Sequence, residues 1–325
     1  MSEKLSQTPE NYKRETSSAI PPRAEINSYI DVDSFVSRFG VKNESVRETL
    51  YEFPTLSYLL GNVTHGTKAS DSRPDGVFRN VYFLTEGSGM YGLKKPEDAA
   101  RWKGIFNHVM GTARHVTYLT DELSEMSENQ LQKWQELGFD AHSFKGLNTA
   151  VLRDFFFISH AGRRQMDEKV WHSLQDKAHP IAPADSGLLT TMLLKKQKAH
   201  PFLIDLMRVE NHADHLAEAG ENGFMTNALD NILTYCDWTY GQRPTPLKDR
   251  FEGLKNSGRQ KVEVLNVLER SGTTFENGLK KTLGDDIYDR MTTKAPYDWE
   301  YKIREGYCAS SGISPAETFP ETFTR

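Results

Sequence analysis

The sequence predicts an all-α protein, and three observations carry that prediction. Apolar residues recur at three- and four-residue spacing through most of residues 30–305, which is the period of an amphipathic helix. Strand-like alternation is confined to short pieces such as residues 77–85. Residues 30–305 contain no internal repeat and no low-complexity linker. The simplest organisation is therefore one helical domain with an N-terminal extension.

Composition excludes several classes of protein. The 325 residues are 37% hydrophobic and carry a net charge of -5, which is typical of a globular chain and disfavours nucleic-acid binding through bulk charge. Two cysteines, Cys236 and Cys308, are too few for a disulfide framework or a thiolate zinc cluster. No apolar run approaches the roughly 18–20 residues of a membrane span, and the N-terminus has no hydrophobic signal segment. We expect a cytoplasmic protein without membrane partners.

The chain divides into four parts in this interpretation. Residues 1–28 are polar and without periodicity, which predicts a disordered tail. Residues 29–94 form an extension with helices and a small hairpin, and residues 95–305 form the helical domain. Residues 306–325 are a C-terminal tail. Two roles for the extension stay open, namely a cover over a pocket and a homodimer contact.

The helices can be placed in order. In the extension, residues 44–60 predict a helix that Pro54 must break or kink. The longest helix is predicted at residues 97–126, because Pro96 is favoured in a first turn and acidic residues follow it. Further helices are predicted at residues 128–137, 144–175, 186–219, 224–238, 246–256 and 261–282.

Five of the ten histidines lie where they could bind an ion. His108 and His115 lie on the longest helix, and His160 ends an unbroken apolar run. His212 and His215 are three residues apart, so they share a helix face and could contact one metal. Ordinary alternatives remain for each. His160 could be a hydrogen-bonded core histidine, and the His212–His215 pair could be exposed on an amphipathic helix.

Asp237 is the most conspicuous carboxylate. It lies inside the apolar run of residues 232–238, where a carboxylate without a function would be an unexplained buried charge.

Three segments in this order resemble the HD superfamily of metal-dependent phosphohydrolases. They are FNHVMGTARHVTYLTDEL at residues 106–123, FFFISHAGRR at 155–164 and ILTYCDWTYGQRPTPLKDRF at 232–251. The resemblance implies an HD-domain-like helical bundle, spanning about half of the chain. It assigns metal ligation to His108, His160 and Asp237.

The chain departs from the family pattern at one position. Ala161 stands where the family has the aspartate of its paired His-Asp, so one anionic ligand is missing. Mg²⁺ would be held poorly, because it prefers oxygen ligands. If His212 or His215 supplies a replacement nitrogen, the site favours Zn²⁺, Fe or Mn.

The resemblance implies hydrolysis of a nucleotide or another small phosphorylated molecule by a metal-activated water. His160 and Asp237 would be catalytic, and Arg164 would hold the phosphate because it is close to His160. A second interpretation is an HD-fold binding or regulatory module that has lost metal and activity with its aspartate. A third is an unrelated helical scaffold.

Overall fold

The computed structural model describes residues 20–39, 41–42, 44–58, 96–159, 190–191, 194–207, 212–241, 243–258, 260–294 and 297–309. The helices in these ranges are, in chain order, α1 (Arg23–Asn27), α2 (Val32–Phe39), α3 (Glu44–Glu52), α4 (Pro96–Ser124), α5 (Glu128–Glu136), α6 (Thr149–Ser159), α7 (Pro201–Leu206), α8 (His212–Asn222), α9 (Ala228–Thr239), α10 (Leu247–Asn256), α11 (Val262–Leu283), α12 (Ile287–Thr293) and α13 (Asp298–Ala309). β-structure in the described residues is limited to two isolated bridges, Asp140–Asn227 and Tyr240–Pro244. The all-α prediction is confirmed.

Most of helix α6 is buried. Its run Phe155-Phe156-Phe157-Ile158 is fully buried, and a helix that is apolar on all sides must be covered on all sides. The long helix α4 packs along α6 and also contacts α9. Helix α11 packs against α8, α9 and α10. The helices α4 and α9, which carry the two ends of the family resemblance, are therefore direct neighbours.

Local sequence explains where several helices begin and end. Pro96 is the first residue of α4, and Ser127 with Gln130 forms a reciprocal capping box at the start of α5. The side chain of Asn227 accepts a hydrogen bond from the Leu229 backbone N–H at the start of α9. Helix α3 ends at Glu52, two residues before Pro54, as the proline predicts.

Two predicted helices differ from the structure. The helix expected from residue 144 begins at Thr149, because a 3₁₀ turn at Ala141–Phe144 is followed by Gly146 in a left-handed conformation (φ 76°). The helix expected over residues 186–219 is interrupted: Lys198 has φ 55°, and Pro201 opens a new helix capped by His200. Residues 160–189, 192–193 and 208–211 lie outside the described ranges.

The N-terminal extension packs on the helical domain. Residues 20–28, which were expected in a disordered tail, include α1, whose Ile26 is buried in the common core. The Arg23 side chain pairs with the buried Asp154 of α6. At the other end, α13 continues to Ala309, beyond the expected boundary at 305, and contacts α3 through an ion pair between Lys302 and Glu52.

Some predicted features lie in segments that the structure does not describe. Residues 1–19, residues 59–95, where the strand-like piece at 77–85 lies, and residues 310–325 are outside the described ranges. The small hairpin expected before residue 95 is therefore not described. None of the helices in the part of the chain that the structure describes is both long and apolar enough to cross a membrane.

Candidate functional site

Helices α4 and α9 bring together two side chains that the sequence assigned to one site. The Nε2 atom of His108, in α4, lies 3.0 Å from the Oδ1 atom of Asp237, near the end of α9. The two side chains are 12% and 21% exposed, so both are largely desolvated but can be reached from solvent. The pair therefore lies at the edge of the core, where a small ion or ligand has access.

The other ring nitrogen of His108 is held by the backbone. Its Nδ1 atom contacts the carbonyl oxygens of Tyr240 and Gly241, the latter at 2.9 Å. A carbonyl oxygen can only accept a hydrogen bond, so Nδ1 must carry the proton and donate it. The Nε2 atom therefore faces Asp237 either as the second N–H of an imidazolium or with a free electron pair.

This arrangement is compatible with a shared cation. A neutral His108 would direct its Nε2 electron pair at a carboxylate 3.0 Å away, which is repulsive unless a proton or a metal ion lies between them. Bonds from Zn²⁺ to imidazole nitrogen and carboxylate oxygen are about 2.0–2.2 Å long, so two ligands 3.0 Å apart can share one ion. Metal-bound histidines usually donate their second N–H to a carbonyl or carboxylate, as His108 does.

A tight turn after α9 supplies the two carbonyl groups. The helix ends at Thr239, and the Thr245 N–H donates to the Thr239 carbonyl at 2.9 Å. The Gly241 N–H donates to the Arg243 carbonyl at 3.2 Å. The closing helix and its following turn therefore contribute a carboxylate and backbone acceptors to one place.

His115 lies two turns after His108 on α4 and is completely buried. Its ring packs edge-on against Tyr240, with ring centroids 5.0 Å apart. Burial, with a smaller contribution from the charge of Arg114, lowers the pKa of His115 to about 3. The ring is therefore neutral at physiological pH and acts as a packing group beside the site.

The His212–His215 pair is only partly described. His215 is buried, in contrast to the alternative of an exposed position, and its Nε2 atom lies 3.2 Å from the Ser271 hydroxyl. Its ring packs on Trp238, the residue after Asp237, with centroids 5.1 Å apart. His212 is the first residue of α8, and its side chain lies outside the described part. Metal ligation by either residue stays a prediction.

The remaining predicted site residues are not described. His160, Ala161 and Arg164 lie in residues 160–189, outside the described ranges. Of the three residues expected to meet, the structure therefore describes His108 and Asp237, which are in contact. Within the described ranges, no group of three or more histidine, cysteine, aspartate or glutamate side chains is arranged to hold a metal ion.

Two contributions to the site were missed by sequence reasoning. The carbonyl groups of Tyr240 and Gly241 were not foreseen, because every residue has a carbonyl and no side-chain pattern marks one that binds a histidine. Gly111 of α4 was not singled out either. The Tyr240 ring lies so close to its backbone that a Cβ atom there would overlap with the ring, and a glycine in the middle of a 29-residue helix is a recognisable signal.

Comparison of the chain with protein-family models, with curated proteins and with solved structures finds no match.

Proposed function

We propose that this chain is an HD-like phosphohydrolase that binds a divalent transition metal through His108 and Asp237. The observation that carries the proposal is the 3.0 Å approach of His108 Nε2 to Asp237 Oδ1, with His108 Nδ1 held by two backbone carbonyls. Structural pairing of a histidine with an aspartate is common, but the double carbonyl anchor leaves Nε2 as the one nitrogen that can bind an ion.

The donor set suits a transition metal better than Mg²⁺. It combines an imidazole nitrogen with one carboxylate, and the proposed contributions of His160, His212 and His215 would add nitrogen, which favours Zn²⁺, Fe or Mn. Such an ion lowers the pKa of a bound water and thereby supplies a nucleophile at neutral pH.

The chain's own residues would share the remaining tasks. Asp237 contributes the negative charge of the site. Its carboxylate either accepts a hydrogen bond from His108 or binds the same ion as His108. His160 would add a nitrogen donor and Arg164 would bind the substrate phosphate through paired N–H groups. The proposed substrates are nucleotides and other small phosphoesters.

A second function is favoured by one specific residue. Ala161 offers no oxygen where the family places an aspartate. Loss of that ligand weakens both metal affinity and the orientation of water, as expected for a catalytically inactive module that binds a phosphorylated ligand in the same pocket.

Metal content and turnover separate the two functions. Wild type, His108→Ala and Asp237→Ala would be purified, analysed for bound metals, and assayed with nucleoside mono-, di- and triphosphates and with phosphodiesters. His142→Ala and Asp205→Ala serve as matched controls, because both side chains are exposed.

If the chain is an active phosphohydrolase, we expect near-stoichiometric metal and turnover in the wild type and in both controls. We also expect a loss of at least tenfold in metal affinity in His108→Ala and Asp237→Ala, because each variant removes a direct ligand. Absence of metal and turnover in the wild type, together with saturable binding of a nucleotide, would favour the inactive module. Equal metal content in wild type and His108→Ala would contradict the proposed site.

A further inference from the structure

Tyr240 lies at the junction between α4 and the end of α9. It is only 5% exposed, although it belongs to a turn outside the helix. Its backbone has φ -133° and ψ 97°, far from helical values. In a helix the carbonyl would point along the axis of α9, whereas this conformation turns it aside to reach His108 Nδ1. Two contacts of the Tyr240 ring fix where this residue lies.

The first restraint is the absence of a side chain at Gly111. The Tyr240 ring lies directly on the backbone of α4 at this glycine, and a Cβ atom there would overlap with the ring carbon atoms. Gly111 is three residues after His108, so the space it leaves is one turn along the helix from the histidine that the Tyr240 carbonyl contacts. Glycine here permits a close approach between helix and ring.

The second restraint is His115, one turn further along α4. Its fully buried ring meets the Tyr240 ring edge-on, at a centroid distance of 5.0 Å and an interplanar angle of 82°. Nδ1 of His115 is 3.5 Å from the Thr239 hydroxyl, and Nε2 has no hydrogen-bond partner in the part of the chain described by the structure. His115 therefore packs against the Tyr240 ring and makes one long hydrogen bond, to the residue before that tyrosine.

We infer that Tyr240 is a positioning residue, whose ring, seated between Gly111 and His115, aims its own carbonyl group and that of Gly241 at His108 Nδ1. The seated ring fixes where the Cα atom of Tyr240 lies, and the hydrogen bond from the Gly241 N–H to the Arg243 carbonyl restrains the peptide plane that carries the Tyr240 carbonyl. The carbonyls in turn fix the rotation of the His108 imidazole and keep Nε2 toward Asp237. The side chain of Tyr240 thus acts through its backbone.

The direct test observes the proton on His108 Nδ1. In protein labelled with ¹⁵N-histidine, the Hδ1 resonance would be assigned by its loss in His108→Ala. We expect it to be visible and protected from solvent exchange in the wild type and in Tyr240→Phe, which keeps the ring. In Tyr240→Ala and Gly111→Ala we expect exchange to accelerate about tenfold or more, as for loss of a hydrogen bond.

Controls separate positioning from general loss of structure. Gly253→Ala is the matched control, because Gly253 is helical and exposed and a Cβ atom there meets nothing within 4 Å. Circular dichroism verifies that each variant is folded. If Tyr240→Ala does not fold, Tyr240→Leu keeps apolar bulk without the flat ring and is expected to behave in the same way.

A second measurement rests on the proposed function. Affinity for Zn²⁺ or Mn²⁺ is expected to fall about 10–100-fold in Tyr240→Ala and Gly111→Ala, and to stay at the wild-type value in Tyr240→Phe. If the wild type binds no metal but its Hδ1 resonance responds as expected, the proposed function fails and the positioning role stands. Protection of Hδ1 in folded Tyr240→Ala and Gly111→Ala, or its loss in Tyr240→Phe, would overturn the inference.

Discussion

The imidazole of His108 is held on both sides, by the carboxylate of Asp237 at 3.0 Å from Nε2 and by backbone carbonyls at Nδ1. The two residues belong to α4 and α9, which are far apart in the chain and adjacent in the bundle. The contact therefore exists only in the folded state. A ligand that bridges the two residues must bind the folded chain in preference to the unfolded one.

The first prediction follows from this linkage. Zn²⁺ or Mn²⁺ at one hundred times its dissociation constant should raise the free energy of unfolding by about 2.7 kcal/mol. Thermal unfolding of metal-free protein, with and without added metal, measures the effect. In Asp237→Ala the increase should fall to about 1.4 kcal/mol or less, as a tenfold or greater loss of affinity requires, whereas Asp205→Ala, at an exposed position, should retain the full increase. Equal metal-induced stabilisation of wild type and Asp237→Ala would contradict the prediction.

His115 gives a prediction about pH. Burial lowers its pKa in the folded protein to about 3, whereas an unfolded chain has a histidine pKa of about 6.5. Between these values the unfolded state binds a proton that the folded state does not. The contribution of His115 to stability is therefore complete above the unfolded pKa and is lost as pH falls, by up to about 1.4 kcal/mol per pH unit.

The measurement is urea unfolding of wild type and His115→Leu between neutral pH and pH about 4.5, a range that crosses the unfolded histidine pKa of about 6.5. The variant should lose less stability than the wild type as pH falls, because it has no buried imidazole to protonate. His142→Leu is the control, since His142 is exposed and its variant should keep the wild-type slope. Parallel curves for wild type and His115→Leu would show that the burial of His115 does not govern acid stability.

The sequence predicted the regular helices well, because their ends are marked by side chains. Pro96, the capping box at Ser127 and Pro54 each fix a boundary through local chemistry that is visible without the fold. The breaks at Gly146 and Lys198 were missed. Apolar spacing continues across both positions, and a left-handed residue interrupts a helix without interrupting its hydrophobic pattern.

The sequence named two side chains of the candidate site but not the backbone groups that hold one of them. His108 was named from the resemblance of its segment to the HD superfamily, and Asp237 also because a carboxylate is unusual inside an apolar run. The carbonyl groups that hold His108 could not be named, since backbone acceptors are present everywhere. The Arg23–Asp154 pair was missed because Arg23 belongs to a polar segment without periodicity, whose packing depends on a distant helix.

Gly278 gives a prediction about the core. Trp134 is fully buried among Phe139, Phe144 and Phe275, and a Cβ atom at Gly278 would overlap with its indole ring. Gly278→Ala should therefore destabilise the fold by about 1–3 kcal/mol despite the better helix propensity of alanine. Gly253→Ala, in open space on α10, should be neutral or stabilising by up to about 1 kcal/mol. Urea unfolding compares them, and equal stabilities would contradict the packing argument.

The last prediction concerns Asp154 of α6, which is almost completely buried. It accepts hydrogen bonds from Arg153 at 2.7 and 2.9 Å and from Arg23 at 2.5 Å. Both guanidinium groups also lie over the ring of Phe53, about 5.3 and 5.4 Å from its centroid. One carboxylate thus pairs with two cations, of which Arg153 is the more buried.

Asp154→Ala should cost about 3–5 kcal/mol, because it leaves Arg153 as a largely buried charge without its carboxylate. Arg23→Ala should cost much less, since Asp154 keeps Arg153 as partner and Arg23 is partly exposed. Urea unfolding gives both values, with Asp205→Ala as an exposed control expected within about 0.5 kcal/mol of wild type. Equal costs for Asp154→Ala and Arg23→Ala would mean that the contact of Asp154 with Arg23, rather than its contact with Arg153, accounts for most of the stability that Asp154 contributes. That outcome would make docking of α1 on α6 the dominant contribution of this cluster to stability.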